Sequence, residues 1–371
     1  MTAPPLLGLF LELCAISSPP GRERPVADRV QAVLDGLGIA WVEDDTGAVT
    51  GSSMGTIVAR LPATAPGTPL FLCAHLDTVP VEGTIDPVVE DGVVRTHTAS
   101  ILGADNKAAV AVMLEAVRRI VREGRLHAGL ELVFTPLEET GLEGVTAFDQ
   151  SVLQAELGFV FDHAAPIGLV LEGAPTAVRL EATFRGRAAH GGIAPEEGRS
   201  AIVAAARAVA DLPLGRIDEI TTANLGLIEG GAARNIVPET CRIEGDVRSH
   251  DPERLARLVQ EQTEVIAYAA ATSQCTVDTV VTTLYTGYRL DRASPVMELA
   301  AAGLRRAGIE PRYGLAGGGA DANVFNARGL PCANLANGMA AIHTAAEHIA
   351  VSDLELMVEV TLGIVDAARS S

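Results

Sequence analysis

Three short apolar runs, each ending on acidic or imidazole side chains, constrain this chain more than any other feature. Leu70-Phe71-Leu72-Cys73-Ala74 runs into His75-Leu76-Asp77. Leu130 to Phe134 runs into Thr135-Pro136-Leu137-Glu138-Glu139, and Leu157 to Phe161 runs into Asp162-His163. Runs of this length read as strands buried on both faces. Helical periodicity lies between them, clearest over 106–121, where Val110, Met113, Leu114 and Val117 share one face. Strand–helix alternation predicts an α/β sheet with substantial parallel character. In such sheets, sites form outside the carboxyl ends of the strands, where these polar residues fall.

The texture changes after Gly173-Ala174-Pro175. Residues 176–185 alternate apolar and polar, as a half-exposed antiparallel strand does. A helix is expected over about 200–210, strands near 224–228 and 241–247, a helix over about 252–271 and a strand at 277–285. The expected organisation is a catalytic α/β domain from 1–175 and 287–371, interrupted by a smaller α+β domain, 176–286. Two further local readings follow. Ser352-Asp353-Leu354-Glu355 reads as a capping box opening the last helix, and Gly51 to Gly55 as a hairpin turn.

The chain has 371 residues, with 28 Lys and Arg against 47 Asp and Glu, a net charge of −19. That charge repels phosphate backbones and argues against nucleic acid as a partner. No charge-free apolar run reaches the roughly 18 residues needed to span a bilayer, so no membrane partner is expected. The apolar stretch from Leu6 to Ile16 has no basic segment before it and no small-residue cleavage site after it. It reads as a first amphipathic helix rather than a signal peptide. The five cysteines are odd in number and contain no C-x-x-C, which fits a reducing cytoplasm and no thiolate zinc site.

His75 and Asp77 stand two apart, so an extended backbone turns both to one face. Asp105 precedes a helix. Adjacent Glu138 and Glu139 point in different directions, so one can ligate while the other stays free as a base. Asp162 ends a third strand, and His343 lies in a loop before the last helix. Two His with four or five carboxylates exceed what one ion needs, three protein ligands and an open position. They suit two ions about 3.5–4 Å apart that share a carboxylate and a water.

His75-x-Asp77, Gly103-Ala104-Asp105, Glu138-Glu139-x-Gly141, Asp162 and His343 with Glu347 after it resemble, in order and spacing, the M20 metallopeptidase family. CAHLDTVP (73–80), ILGADNKAAVAVMLEA (101–116), FTPLEETGLEG (134–144) and GGGADANVFNARGLP (317–331) are most similar to its peptidase T-like branch. The resemblance implies a phosphorylase/hydrolase-like zinc-peptidase catalytic domain with an inserted lid and dimerisation domain, and a homodimer formed through that insertion. It implies two zinc ions: His75 and Asp162 on one, Glu139 and His343 on the other, and Asp105 bridging. Asp77 would orient His75. A metal-bridged water would be the nucleophile, and Glu138 the general acid/base. It also implies that His190, in Arg187 to Gly192, contacts the oxyanion, across the dimer interface. Asn235, in Arg234 to Pro238, would be another oxyanion or substrate contact, and Arg248, in Gly245 to Ser249, would grip a substrate carboxylate. Three positions depart from the branch: Asn106 where an acid commonly stands, 96–100 without Asp-Gly, and Ala320 where a small hydroxyl residue is common.

The bland readings remain beside these. Asp105 can cap a helix, Glu138-Glu139 can be a solvated pair, and Arg248 and Asn235 can be ordinary surface residues. His97, His127, His163, His250 and His348 are taken as non-ligands. Gly51-x-Ser53-x-Gly55 matches G-x-S-x-G in letters only, because a strand-like segment follows rather than a helix. Gly317-Gly318-Gly319 lacks the Lys-Ser/Thr of a phosphate loop. The function expected is an aminopeptidase acting on short peptides, tripeptides among them. The same chemistry also serves carboxypeptidases, dipeptidases and N-acyl-amino-acid deacylases, and a metal-dependent binding protein is the non-enzymatic alternative. Cobalt or manganese would suit the same ligands as zinc.

Overall fold

The computed structural model describes residues 6–80 and 83–369. The chain divides into two compact units, one of Met1–Ala174 with Arg289–Ser371 and the other of Pro175–Tyr288.

In the first unit the larger sheet runs in the order Ala40–Glu43, Ile57–Leu61, Leu130–Thr135, Leu70–His75, Leu157–Val160, Cys332–Leu335 and Leu169–Ala174. The four strands from Leu130–Thr135 to Cys332–Leu335 are mutually parallel. The strands flanking this block, Ile57–Leu61 and Leu169–Ala174, pair antiparallel with it, and Arg312–Leu315 then runs parallel beside Leu169–Ala174. The three apolar runs occupy the central parallel block, where a strand is covered on both faces. Every residue of Leu70–His75, Leu130–Thr135 and Leu157–Val160 is buried. A fully buried Leu, Val or Phe contributes roughly 1.5–3 kcal/mol. Together they offset the cost of gathering acids at the strand ends.

The helix Ala104–Glu123 packs on Leu70–His75 and is flanked by Leu6–Ala15 and Val351–Ala368. Ala, Val, Met and Leu fill its sheet-facing stripe, and Gly124 in the left-handed region closes it. The second unit is a five-stranded antiparallel sheet, ordered Gly215–Asp218, Thr221–Gly230, Thr240–Ser249, Thr176–Arg185 and Thr276–Tyr285. Helices Ala201–Asp211 and Pro252–Thr272 cover one face, burying Leu180, Phe184, Ala204, Ile243 and Ile266. Ser200 caps the first helix through Val203 N–H, and Asp251 caps the second.

Two local expectations fail for stated reasons. Ser352 and Glu355 form no capping box: the helix Val351–Ala368 starts after Ala350 with no side-chain cap. The chain enters from a strand, Ile349–Ala350, paired with Val93–Val94. Val351 N–H therefore already donates to Gly92 O. The Gly51–Gly55 stretch is no tight hairpin. The antiparallel strands Ala40–Glu43 and Ile57–Leu61 are joined through a helical turn, Thr46–Thr50, closed by Gly51 at φ 82°. The Asp44 carboxylate holds that connection by accepting from Thr46 and Thr56 N–H.

Candidate metal centre

Register brings the site together. His75 is level with Thr135, and Cys73 with Val160. Two residues past each, His75 and Asp162 emerge side by side at the carboxyl edge, while Glu138 and Glu139 follow Thr135. His75 Nε2 lies 3.3 Å from Asp105 Oδ1 and 3.8 Å from Asp162 Oδ2. His343 Nε2 lies 3.3 Å from Asp105 Oδ2 and 3.1 Å from Glu139 Oε1. The two oxygens of Asp105 thus face two different histidines.

Asp105 does not cap the helix. Its Oδ1 accepts no hydrogen bond, and Asp105 and Asn106 break the helical conformation, Asp105 with an extended ψ of 106° that turns its carboxylate toward the imidazoles. Glu347, 1% exposed, fixes that turn by accepting from Gly103 N–H at 2.7 Å and Asp105 N–H at 3.0 Å. Asp77 is fully buried, and its carboxylate accepts from Glu138 N–H and Glu139 N–H, both at 3.0 Å. Its backbone oxygen is 2.9 Å from His75 Nδ1, closer than its carboxylate at 3.4 Å. Asp77 therefore holds His75 chiefly through its carbonyl and spends its charge on the Glu138-Glu139 turn. That turn is strained: Leu137 and Leu142 stand at φ 56° and 65°. His343 likewise sits at φ 61°, a region β-carbon-bearing residues rarely enter unless their surroundings impose it. Gly144 is required for close packing, because a Cβ there would meet Pro136 O at 1.8 Å.

The electrostatics are those of crowded acids. Burial opposes charge on His75, but Asp105, Asp162 and Asp77 outweigh it and hold the imidazole well above its usual range. Asp105 and then Glu139 push His343 up to about 10. Burial also opposes charge on Asp105, yet His343 and His75 hold it below the usual carboxylate range. Burial, then the charge on Asp105, push Asp162 up to about 7. Burial drives Glu138 well above its usual range, with Asp162, Asp321 and Glu139 adding to the rise against the pull of His75.

The residues fit divalent cations. Asp105 Oδ1 and Glu139 Oε1 are buried and accept no hydrogen bond, although an imidazole nitrogen stands 3.3 or 3.1 Å from each. Two ligand atoms about 2.0–2.2 Å from a tetrahedral zinc stand about 3.3–3.6 Å apart, close to the spacings seen here. Ligand atoms of His75, Asp105 and Glu139 all lie within 4.8 Å of one another.

Residues 56–170, which carry His75, Asp77, Asp105, Glu138, Glu139 and Asp162, match the model of peptidase family M28, and residues 173–273 match the M20 peptidase dimerisation domain. The uncharacterised protein YqjE of Bacillus subtilis is 36% identical over 98% of both chains. A tripeptidase of Staphylococcus aureus superposes with a TM-score of 0.93 at 33% identity, covering 99% of this chain and 98% of that one. Aminopeptidase PepT of Bacillus cereus gives a TM-score of 0.87 at 35% identity over the same shares. The chain belongs to the M20 metallopeptidases, on their peptidase T-like branch. Its fold is accordingly the M20 catalytic fold with a separate dimerisation domain.

The remaining expected site residues of this M20 peptidase lie in the Pro175–Tyr288 unit. His190 and Asn235 are exposed and adjacent: His190 bridges Ile236, and Gly191 N–H donates to Asn235 O. Arg248 is at the other end of that sheet. The strand opposite Arg185 at Thr240 reaches Ala177 at Arg248, roughly 26 Å away at about 3.3 Å per residue. Its guanidinium engages Asp246, at 2.7 and 3.2 Å. One subunit's fold therefore keeps Arg248 apart from His190 and Asn235.

Several polar residues around the centre carry no signal at their own positions. Glu347 was visible only as a companion of His343. Lys107 is fully buried, its Nζ 2.5 Å from Ile16 O, with burial lowering it to about 8. Asp321, also buried, accepts from Thr135 Oγ1 and Cys73 Sγ on the two strands that lead to Glu138 and His75. Asn106, one of the three departures from the branch, has a fully buried amide with no hydrogen-bond partner.

Proposed function

We propose that the protein is an aminopeptidase cleaving short peptides of about tripeptide length. The observation that carries its chemistry is the Asp105 carboxylate, shared between two histidines with buried acceptors left open. His75 and Asp162 would hold one cation and Glu139 and His343 the other, with Asp105 on both. Zinc suits these ligands, as would cobalt or manganese. Two such ions, when bound, supply an acidified water and polarise the scissile carbonyl.

The chain's own residues do the rest. Burial, and then Asp162, Asp321 and Glu139, raise the proton affinity of Glu138, which suits it to taking a proton from the attacking water and returning it to the leaving amine. Asp77 keeps the Glu138-Glu139 backbone fixed during that transfer. His190 would donate to the oxyanion from the partner subunit, with Asn235 beside it as a substrate contact. Arg248 would bind a substrate carboxylate only by sharing or exchanging Asp246.

A homodimer through the inserted unit is supported by the dimerisation-domain match and by an open edge. Gly215–Asp218 pairs with Thr221–Gly230 only as far as Ala223. Beyond it Leu227 and Ile228 are exposed, as are Ile202 and Val203 on the neighbouring helix. The five cysteines are all unbridged, in keeping with a cytoplasmic place of work. No described helix is long and apolar enough to cross a membrane.

The test is hydrolysis of free and N-acetylated tripeptides with and without a chelator. Chelator-sensitive cleavage that N-acetylation abolishes is expected. Cleavage that survives N-acetylation would favour a deacylase or carboxypeptidase, and none at all would favour a binding protein.

A further inference from the structure

The ladder between Leu157–Val160 and Cys332–Leu335 gives out at the pair Val160 and Asn334. Two residues on, Asp162 has no strand beside it in that register, although its carboxylate must face His75. The Asn334 side chain takes the missing strand's place. Its Oδ1 accepts from Asp162 N–H at 3.0 Å, and its Nδ2 donates to Asp162 O at 3.0 Å. Asn334 is 3% exposed, so water does not compete for either bond. Just before it in the chain, Phe161 O accepts from Asn337 Nδ2 at 2.7 Å. A carboxamide presents one donor and one acceptor in the spacing of a peptide unit. Aspartate lacks the donor, and an aliphatic side chain lacks both.

We propose that Asn334 is a positioning residue: its carboxamide clamps the Asp162 backbone on both sides and so sets the direction of the Asp162 carboxylate toward the cation it shares with His75. This rests on the reading of Asp162 as a metal ligand. Partners that orient ligands typically account for about 10–100-fold in metal affinity.

The fold supplies a matched control. Asn326 clamps Cys332 in the same way, with Nδ2 donating to Cys332 O at 2.7 Å and Oδ1 accepting from Cys332 N–H at 3.2 Å. Cys332 is not among the residues read as ligands. Zinc would be titrated into metal-free full-length protein against a chelating indicator, alongside thermal unfolding. Asn334→Ala and Asn326→Ala should both lower Tm. Only Asn334→Ala should weaken one of the two zinc equilibria, by about 10–100-fold, and leave the other within threefold. Asn334→Ser, whose hydroxyl can replace one of the two bonds, should fall between, and it serves with Asn326→Ser if the alanine variants do not fold. Unchanged zinc equilibria in the Asn334 variants, or an equal weakening in the Asn326 variants, would overturn the proposal. Wild-type protein that takes up fewer than two zinc ions would sink both the proposal and the reading beneath it.

Discussion

Asp77→Asn isolates what a single buried charge does for this site. The carboxylate is fully buried and holds two backbone N–H groups, those of Glu138 and Glu139, with one oxygen each. Asparagine keeps the shape but offers one acceptor, so an NH2 group must face one of the two N–H donors. A hydrogen bond to a charged group contributes about 1.5–3 kcal/mol. With about 1.4 kcal/mol per factor of ten, the turn would lose its productive position by roughly 10–150-fold. The metal-free protein should unfold about 4–8 °C lower, taking about 2 kcal/mol at 2–4 °C per kcal/mol. The assay is tripeptide hydrolysis over a metal titration. Because Asp77 reaches His75 mainly through its backbone carbonyl, which the substitution leaves in place, the loss in kcat should persist at saturating metal. Restoration of wild-type turnover by excess metal would refute the reasoning, because it would place the effect on His75 rather than on the turn. An unchanged kcat at all metal concentrations would refute it equally.

Three further outcomes follow from the same geometry. Glu138→Ala should retain both cations by elemental analysis yet lose about 10²–10⁴-fold in turnover, the usual share of a general acid/base; wild-type turnover would remove Glu138 from that role. In the metal-free protein His75 and His343 both hold protons at neutral pH, His343 up to about 10. Metal binding needs the neutral imidazoles, so uptake should release protons, and apparent affinity should rise between pH 6 and 8 by about tenfold per unit for each proton displaced. A pH-independent affinity in unbuffered titration would contradict this. Gly144→Ala places a Cβ against Pro136 O and should cost about 1–3 kcal/mol by overpacking. It should also lower turnover of the folded enzyme, since Pro136 leads into Glu138; a lowered Tm with normal kcat would uncouple the two.

The strand ends were legible because burial on both faces writes itself as an unbroken apolar run, and the register of a parallel sheet then fixes which ends are neighbours. His75, Glu138, Glu139 and Asp162 all follow from that. Glu347 and Asn334 did not, because their partners lie 244 and 172 positions away and a lone Glu or Asn has no local pattern. The apparent capping box at Ser352 failed for a related reason. Strand pairing by Ile349–Ala350 left the first helical N–H satisfied before any side chain was needed. Asp77 shows a third limit: its spacing from His75 was readable, but its carboxylate accepts from Glu138 and Glu139, 61 and 62 positions on.

The most direct test of the central claim is anomalous diffraction from crystals grown with zinc. The account predicts two peaks per subunit about 3.5–4 Å apart: one held by His75 and Asp162, the other by Glu139 and His343, each touching a different oxygen of Asp105. A single peak, or two peaks without Asp105 between them, would contradict it.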